Sequence, residues 1–135
     1  MVRMSDNETL KILLVGSDEL LGDSMKMYFE TKGFEVCMAS TAEEALAHLH
    51  RDSADLIISE HGRSSVDAFA LFGEVHKRRM PSRPYKVIIC DSCTLGNGCD
   101  GHEPHADFCI PKPLNKVAVD RMVNHVFEFY EKKNQ

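Results

Sequence analysis

The sequence predicts an open α/β fold, a parallel sheet of five strands covered by helices on both faces. Short apolar runs recur along the chain, and segments with helical apolar spacing separate them. The length of 135 residues suits one domain with a substantial core. Strands alternating with helices in this way form parallel sheets joined by right-handed crossovers.

Taken in order, residues 1–9 are polar and patternless and read as a flexible arm. Lys11-Ile12-Leu13-Leu14-Val15-Gly16 is a continuous apolar run ending in glycine, the pattern of a strand buried on both faces. Leu21, Met25, Tyr28 and Phe29 then recur at i, i+4, i+7 and i+8 and define one helix face. Lys32-Gly33 closes that helix with a cation in its last turn and a glycine just beyond. Phe34 to Ala39 is a second strand. Thr41-Ala42-Glu43-Glu44 has capping-box spacing, and Ala45, Leu46 and Leu49 supply the buried stripe of a second helix.

Leu56 to Ser59 is the third strand. Val66 to Arg79 has helical period, with Phe69, Leu71, Phe72 and Val75 facing inward, and Met80-Pro81-Ser82-Arg83-Pro84 breaks the chain. Val87 to Cys90 is the fourth strand. The stretch from Thr94 to Pro104 holds three glycines and a proline, so the fourth helix due there is short or missing. Phe108 to Ile110 is the fifth strand. Asn115 caps a last helix whose apolar face is Val119, Met122, Val123, Val126 and Phe127. The expected domain spans residues 10–131, with residues 132–135 as a tail.

Hydrophobic residues make up 43% and charged residues 27%, an ordinary globular composition. A net charge of -5 argues against general affinity for nucleic acid or anionic membrane. No apolar run approaches the ~20 residues of a membrane span and no signal-peptide pattern opens the chain, so a cytoplasmic location is expected. Five cysteines, an odd number without an export signal, read as reduced thiols.

In open α/β sheets, ligands sit beyond the carboxyl ends of the strands, where the strand order reverses. Those ends carry Gly16-Ser17-Asp18, Glu60-His61-Gly62, Asp91-Ser92 and Lys112-Pro113. Three carboxylates and one lysine are thus expected to converge on one cleft. No nucleophile–base pair or glycine-rich phosphate loop accompanies them, which argues against an ordinary enzyme.

Roughly from Leu10 to Tyr130, the chain resembles the response-regulator receiver domains of two-component signalling. The resemblance rests on Ile12-Leu13-Leu14-Val15, on Ala54-Asp55-Leu56-Ile57-Ile58-Ser59-Glu60, and on Ala106-Asp107 followed by Lys112-Pro113-Leu114. It implies a flavodoxin-like (CheY-like) three-layer sandwich. It also implies a stand-alone signalling module whose partner is a histidine kinase or another two-component protein, with a homodimer left open. The surface from Cys109 to Val123 is the expected docking face.

The departures from the family pattern are specific. Where receivers carry an acidic pair that binds Mg²⁺, this chain has Gly16 and Ser17. Glu60 aligns with the phosphoacceptor aspartate, Asp91 (or Ser92, one residue on) with the hydroxyl switch, and Cys109 with the aromatic switch. Lys112 alone keeps its identity, while Asp67 matches an acidic loop position without catalytic duty.

Aspartyl phosphorylation needs a divalent cation to neutralise the incoming oxygens, and Mg²⁺ demands oxygen ligands that usually include carboxylates. Gly16 and Ser17 remove that anchoring charge. Asp18 and Gly62 remain as weak cation contacts, so no cofactor is expected. The reading is a pseudo-receiver that takes no phosphate and works by protein–protein contact, with Glu60 either reaching Lys112 to mimic the phosphorylated state or merely neutralised in a dead cleft.

Two alternatives stand beside it. One is a phosphorylatable receiver with an unorthodox acidic site. The other is a metal- or thiol-redox-sensing loop in which Cys93, Cys99, His102 and His105 hold zinc after the Cys90-Asp91-Ser92-Cys93 half-site. The basic residues His76-Lys77-Arg78-Arg79, with Arg83 and Lys86, read as a solvated helix end, and His48, His50 and His125 as surface residues.

Overall fold

The computed structural model describes residues 10–61, 67–78, 84–90, 106–111 and 115–133. These residues form strands β1 (Lys11–Val15), β2 (Glu35–Ala39), β3 (Leu56–His61), β4 (Tyr85–Cys90) and β5 (Phe108–Pro111). Four helices are described: α1 (Glu19–Thr31), α2 (Ala42–Arg51), α3 (Ala68–Lys77) and α4 (Lys116–Lys133). The segment 91–105, where the fourth of five helices is expected to be short or missing, lies outside the described residues, as does the proline-rich break at 79–83.

All four strand pairings are parallel and the order is β2-β1-β3-β4-β5. This is the flavodoxin-like sandwich the sequence predicts. Alternation along the strands sorts side chains into two cores. Ile12, Leu14, Leu56, Ile58, Val87 and Ile89 pack on one face with Met25 and Phe29 of α1 and Met122 and Val126 of α4. Leu13, Val15, Ile57 and Ile88 pack on the other with Ala45 and Leu49 of α2 and Leu71, Phe72 and Val75 of α3. Both faces being covered explains why the strands read as continuous rather than alternating apolar runs.

The helix ends follow their sequence signals. Thr41 accepts from the Glu44 N–H at 3.1 Å, and Glu44 accepts from the Ser40 N–H at 2.7 Å. Asp67 and Asn115 cap α3 and α4 through Ala70 and Ala118. Gly33 follows α1 with φ 93°, a left-handed conformation that costs a side chain.

Some expectations are corrected. β3 runs on past Ser59 because β4 pairs with it as far as His61 opposite Cys90. β4 starts at Tyr85, two residues early, and carries Lys86 into the sheet at 2% exposure, so Lys86 does not belong to a solvated basic surface. Phe69 is half-buried rather than a core residue. Its ring stacks on His61 at 4.2 Å between centroids.

Candidate functional site

The strand order reverses between β1 and β3, so the crevice at the switch point lies between Gly16 at the end of β1 and Glu60 near the end of β3. Register makes these two residues neighbours. Val15 pairs with Ser59, and the next step along both strands brings Gly16 beside Glu60. The Gly16 N–H donates to the Ala39 carbonyl at 2.9 Å, which extends the β1–β2 ladder and fixes the glycine backbone.

Glu60 is 7% exposed. Its side chain turns across Gly16 toward the start of α1, where Oε2 accepts from the Asp18 N–H at 3.2 Å. Side-chain room at residue 16 is already taken: an added Cβ would overlap the Glu60 carboxylate, with Cγ 2.8 Å away. Beneath lies a cavity of about 20 Å³, walled by Leu14, Leu21, Met25, Ile58 and Ile89. That volume is enough for a water molecule.

Asp18 is the N-cap of α1, and its Oδ1 accepts from the Leu21 N–H at 3.0 Å. Its carboxylate therefore serves the helix end, while its own N–H serves Glu60. Ser17 is exposed. Neighbouring His61 points to the opposite face, where Nδ1 accepts from the Ala68 N–H at 3.1 Å and helps hold the start of α3. Asp67 lies 3.9 Å from the same imidazole nitrogen. Cys109 on β5 is half-buried and packed against the α2–α3 core.

The structure thus brings Gly16, Asp18 and Glu60 together. Gly62, Asp91, Lys112, Cys93, Cys99, His102 and His105 lie outside the described residues, as do Ser92 and the Cys90 side chain. Among the described residues no cluster of three or more His, Cys, Asp or Glu is arranged to hold a metal. No described helix is long and apolar enough to cross a membrane.

The turn of Glu60 onto the Asp18 N–H was not legible in the sequence. Its signal is the glycine at 16 across the ladder from a long acid at 60, which becomes visible only once the register is known. A second feature missed by sequence reading is the groove between α1 and α4, about 460 Å³, lined by Leu21, Ser24, Met25, Tyr28, Asn115, Lys116 and Val119. Leu20 and Val117, at the starts of the same two helices, are 79% and 67% exposed.

Solved structures share this fold. A CheY-like response-regulator receiver domain from Methanospirillum hungatei JF-1 superposes with a TM-score of 0.78 at 27% identity, covering 93% of this chain and 99% of that one. The chain has the fold of a receiver domain. The response regulator TrrA of Thermotoga maritima, solved in complex with Mg²⁺-BeF, superposes on this chain with a TM-score of 0.74 at 19% identity, covering 87% of this chain and 99% of that one.

Among curated proteins, the transcriptional regulatory protein GlrR of Escherichia coli K12 is 25% identical to this chain over 117 residues, 87% of this chain and 26% of that protein. An uncharacterized 14.6 kDa protein of Leptolyngbya boryana is 32% identical over 68 residues, 50% of this chain and 52% of that protein. The chain spans about a quarter of the length of GlrR. No protein-family model matches it.

Proposed function

We propose that this receiver is a pseudo-receiver of two-component signalling that takes no phosphoryl group and acts by contact with a signalling protein, such as a histidine kinase, rather than by catalysis. The observation that carries the reading is the inward turn of Glu60. The side chain aligned with the family's phosphoacceptor accepts a hydrogen bond from the Asp18 N–H and occupies the room beside Gly16. In-line attack on a phosphoryl donor needs a carboxylate directed at the donor and a cation to neutralise its oxygens. Here the carboxylate faces the protein, and Gly16 and Ser17 offer the cation no charge. The Asp18 carboxylate, the nearest replacement, is engaged in capping α1.

The docking surface in this reading is formed by β5 and the first turns of α4, from Cys109 to Val123, where Val117 stands 67% exposed. Mg²⁺ with beryllium fluoride, a phosphoryl mimic, supplies the test. The amide spectrum of this chain is expected to stay unchanged at Asp18, Glu60 and His61, while TrrA, treated alongside, shifts. Saturable shifts at those three residues would refute the reading.

A further inference from the structure

We propose that Gly16 and Glu60 form a two-residue lock in which Gly16 is the positioning residue that directs the Glu60 carboxylate onto the Asp18 N–H, making Glu60 the internal ligand of its own site. The inference deepens the pseudo-receiver reading and rests on it for its meaning, though its geometry stands independently.

Four observations combine. Gly16 and Glu60 directly follow the last β1–β3 pair, Val15 with Ser59, and lie against each other. The Gly16 backbone is held by its hydrogen bond to Ala39, so residue 16 cannot retreat from Glu60. Any Cβ at residue 16 falls within the Glu60 side chain, 2.6 Å from Cδ. The adjoining crevice is lined mainly by apolar side chains, which disfavours burying a displaced Glu60 carboxylate there. A side chain at residue 16 therefore turns Glu60 out toward solvent and breaks its bond to Asp18. Conversely, a shorter residue at 60 frees the space beside residue 16. The two positions are predicted to act as one unit, each tolerating change only when the other changes too.

A mutant cycle on the full chain tests this, comparing the native protein, Gly16→Ala, Glu60→Ala and the double variant. Gly16→Ala is expected to lower the melting temperature by about 4 °C in the native background, the size of one charge-assisted hydrogen bond, and by about 1 °C or less when Glu60 is already Ala. Equal drops in both backgrounds, zero included, would overturn the lock.

Amide NMR supplies a readout that general destabilisation would not produce. Gly16→Ala and Glu60→Ala should each move the Asp18 amide proton upfield. The Gly22 amide, which donates to the Asp18 carbonyl at 2.9 Å, should stay in place. Movement of both amides would mean that the start of α1 has unravelled, and movement of neither that the hydrogen bond is not held this way. Either result refutes the proposal. The pseudo-receiver reading stands or falls separately, on the beryllium fluoride response of the native chain.

Discussion

Lys86 is a lysine carried into the sheet, 2% exposed, with its ammonium 3.9 Å from Asp107 Oδ2. The same carboxylate accepts from the Lys86 N–H at 2.9 Å, and the Asp107 N–H returns a bond to the Lys86 carbonyl at 2.7 Å. Breaking a buried pair from one side strands the other charge, and the cost is larger the more deeply that charge is buried, whereas replacing both members by apolar residues of like size is often neutral. Asp107→Ala strands the more deeply buried ammonium and should cost about 3 kcal/mol, whereas Lys86→Met leaves the more exposed carboxylate with its bond from the residue-86 N–H and should cost less, both read from urea midpoints. Equal losses would show that the ion pair is not what makes Asp107 important. This pairing was hidden in the sequence, because the partners are 21 residues apart and the prolines before Tyr85 suggested a later strand start. Glu60 was hidden for a related reason. Its position at a strand end could be read from the apolar run before it, but its direction depends on Gly16 across the sheet.

Between elements, α1 and α4 are joined by the Tyr28 hydroxyl, which donates to Asp120 Oδ1. Partial burial, with the Asp120 hydrogen bond and charge adding to it, pushes the Tyr28 phenol up to about 12. Tyr85, beside Phe129 of α4, is likewise raised to about 12, first by burial and then by Asp107 and Glu128. Both folded values lie above the unfolded value of about 10, so folding favours the protonated phenols. Their stabilisation is complete below pH 10 and is lost as the pH rises from 10 through 12. Tyr28→Phe should flatten the loss of stability across that window, measured by urea unfolding at pH 9, 10 and 11; an unchanged slope would contradict the assignment. The apolar faces of α1 and α4 were legible as spacing in the sequence, and so were the caps at Thr41 and Asn115, since those signals are local. The ends of β3 and β4 were not, because pairing with the neighbouring strand, not composition, decides where each stops.

For the whole molecule, the parallel order β2-β1-β3-β4-β5 and its two cores follow from continuous apolar strands separated by amphipathic helices, a pattern visible along the chain. That topology fixes the switch point between β1 and β3 and so brings Gly16, Asp18 and Glu60 together. The pseudo-receiver reading rests on the residues at the edge of that crevice. The central claim is that Glu60 cannot serve as a phosphoryl acceptor. Intact mass after incubation with Mg²⁺ and acetyl phosphate, with the Thermotoga maritima TrrA receiver labelled in parallel, tests it most directly. The account predicts an unchanged mass for this chain beside a phosphorylated control. A phosphoryl adduct that peptide mapping places on Glu60 would contradict it.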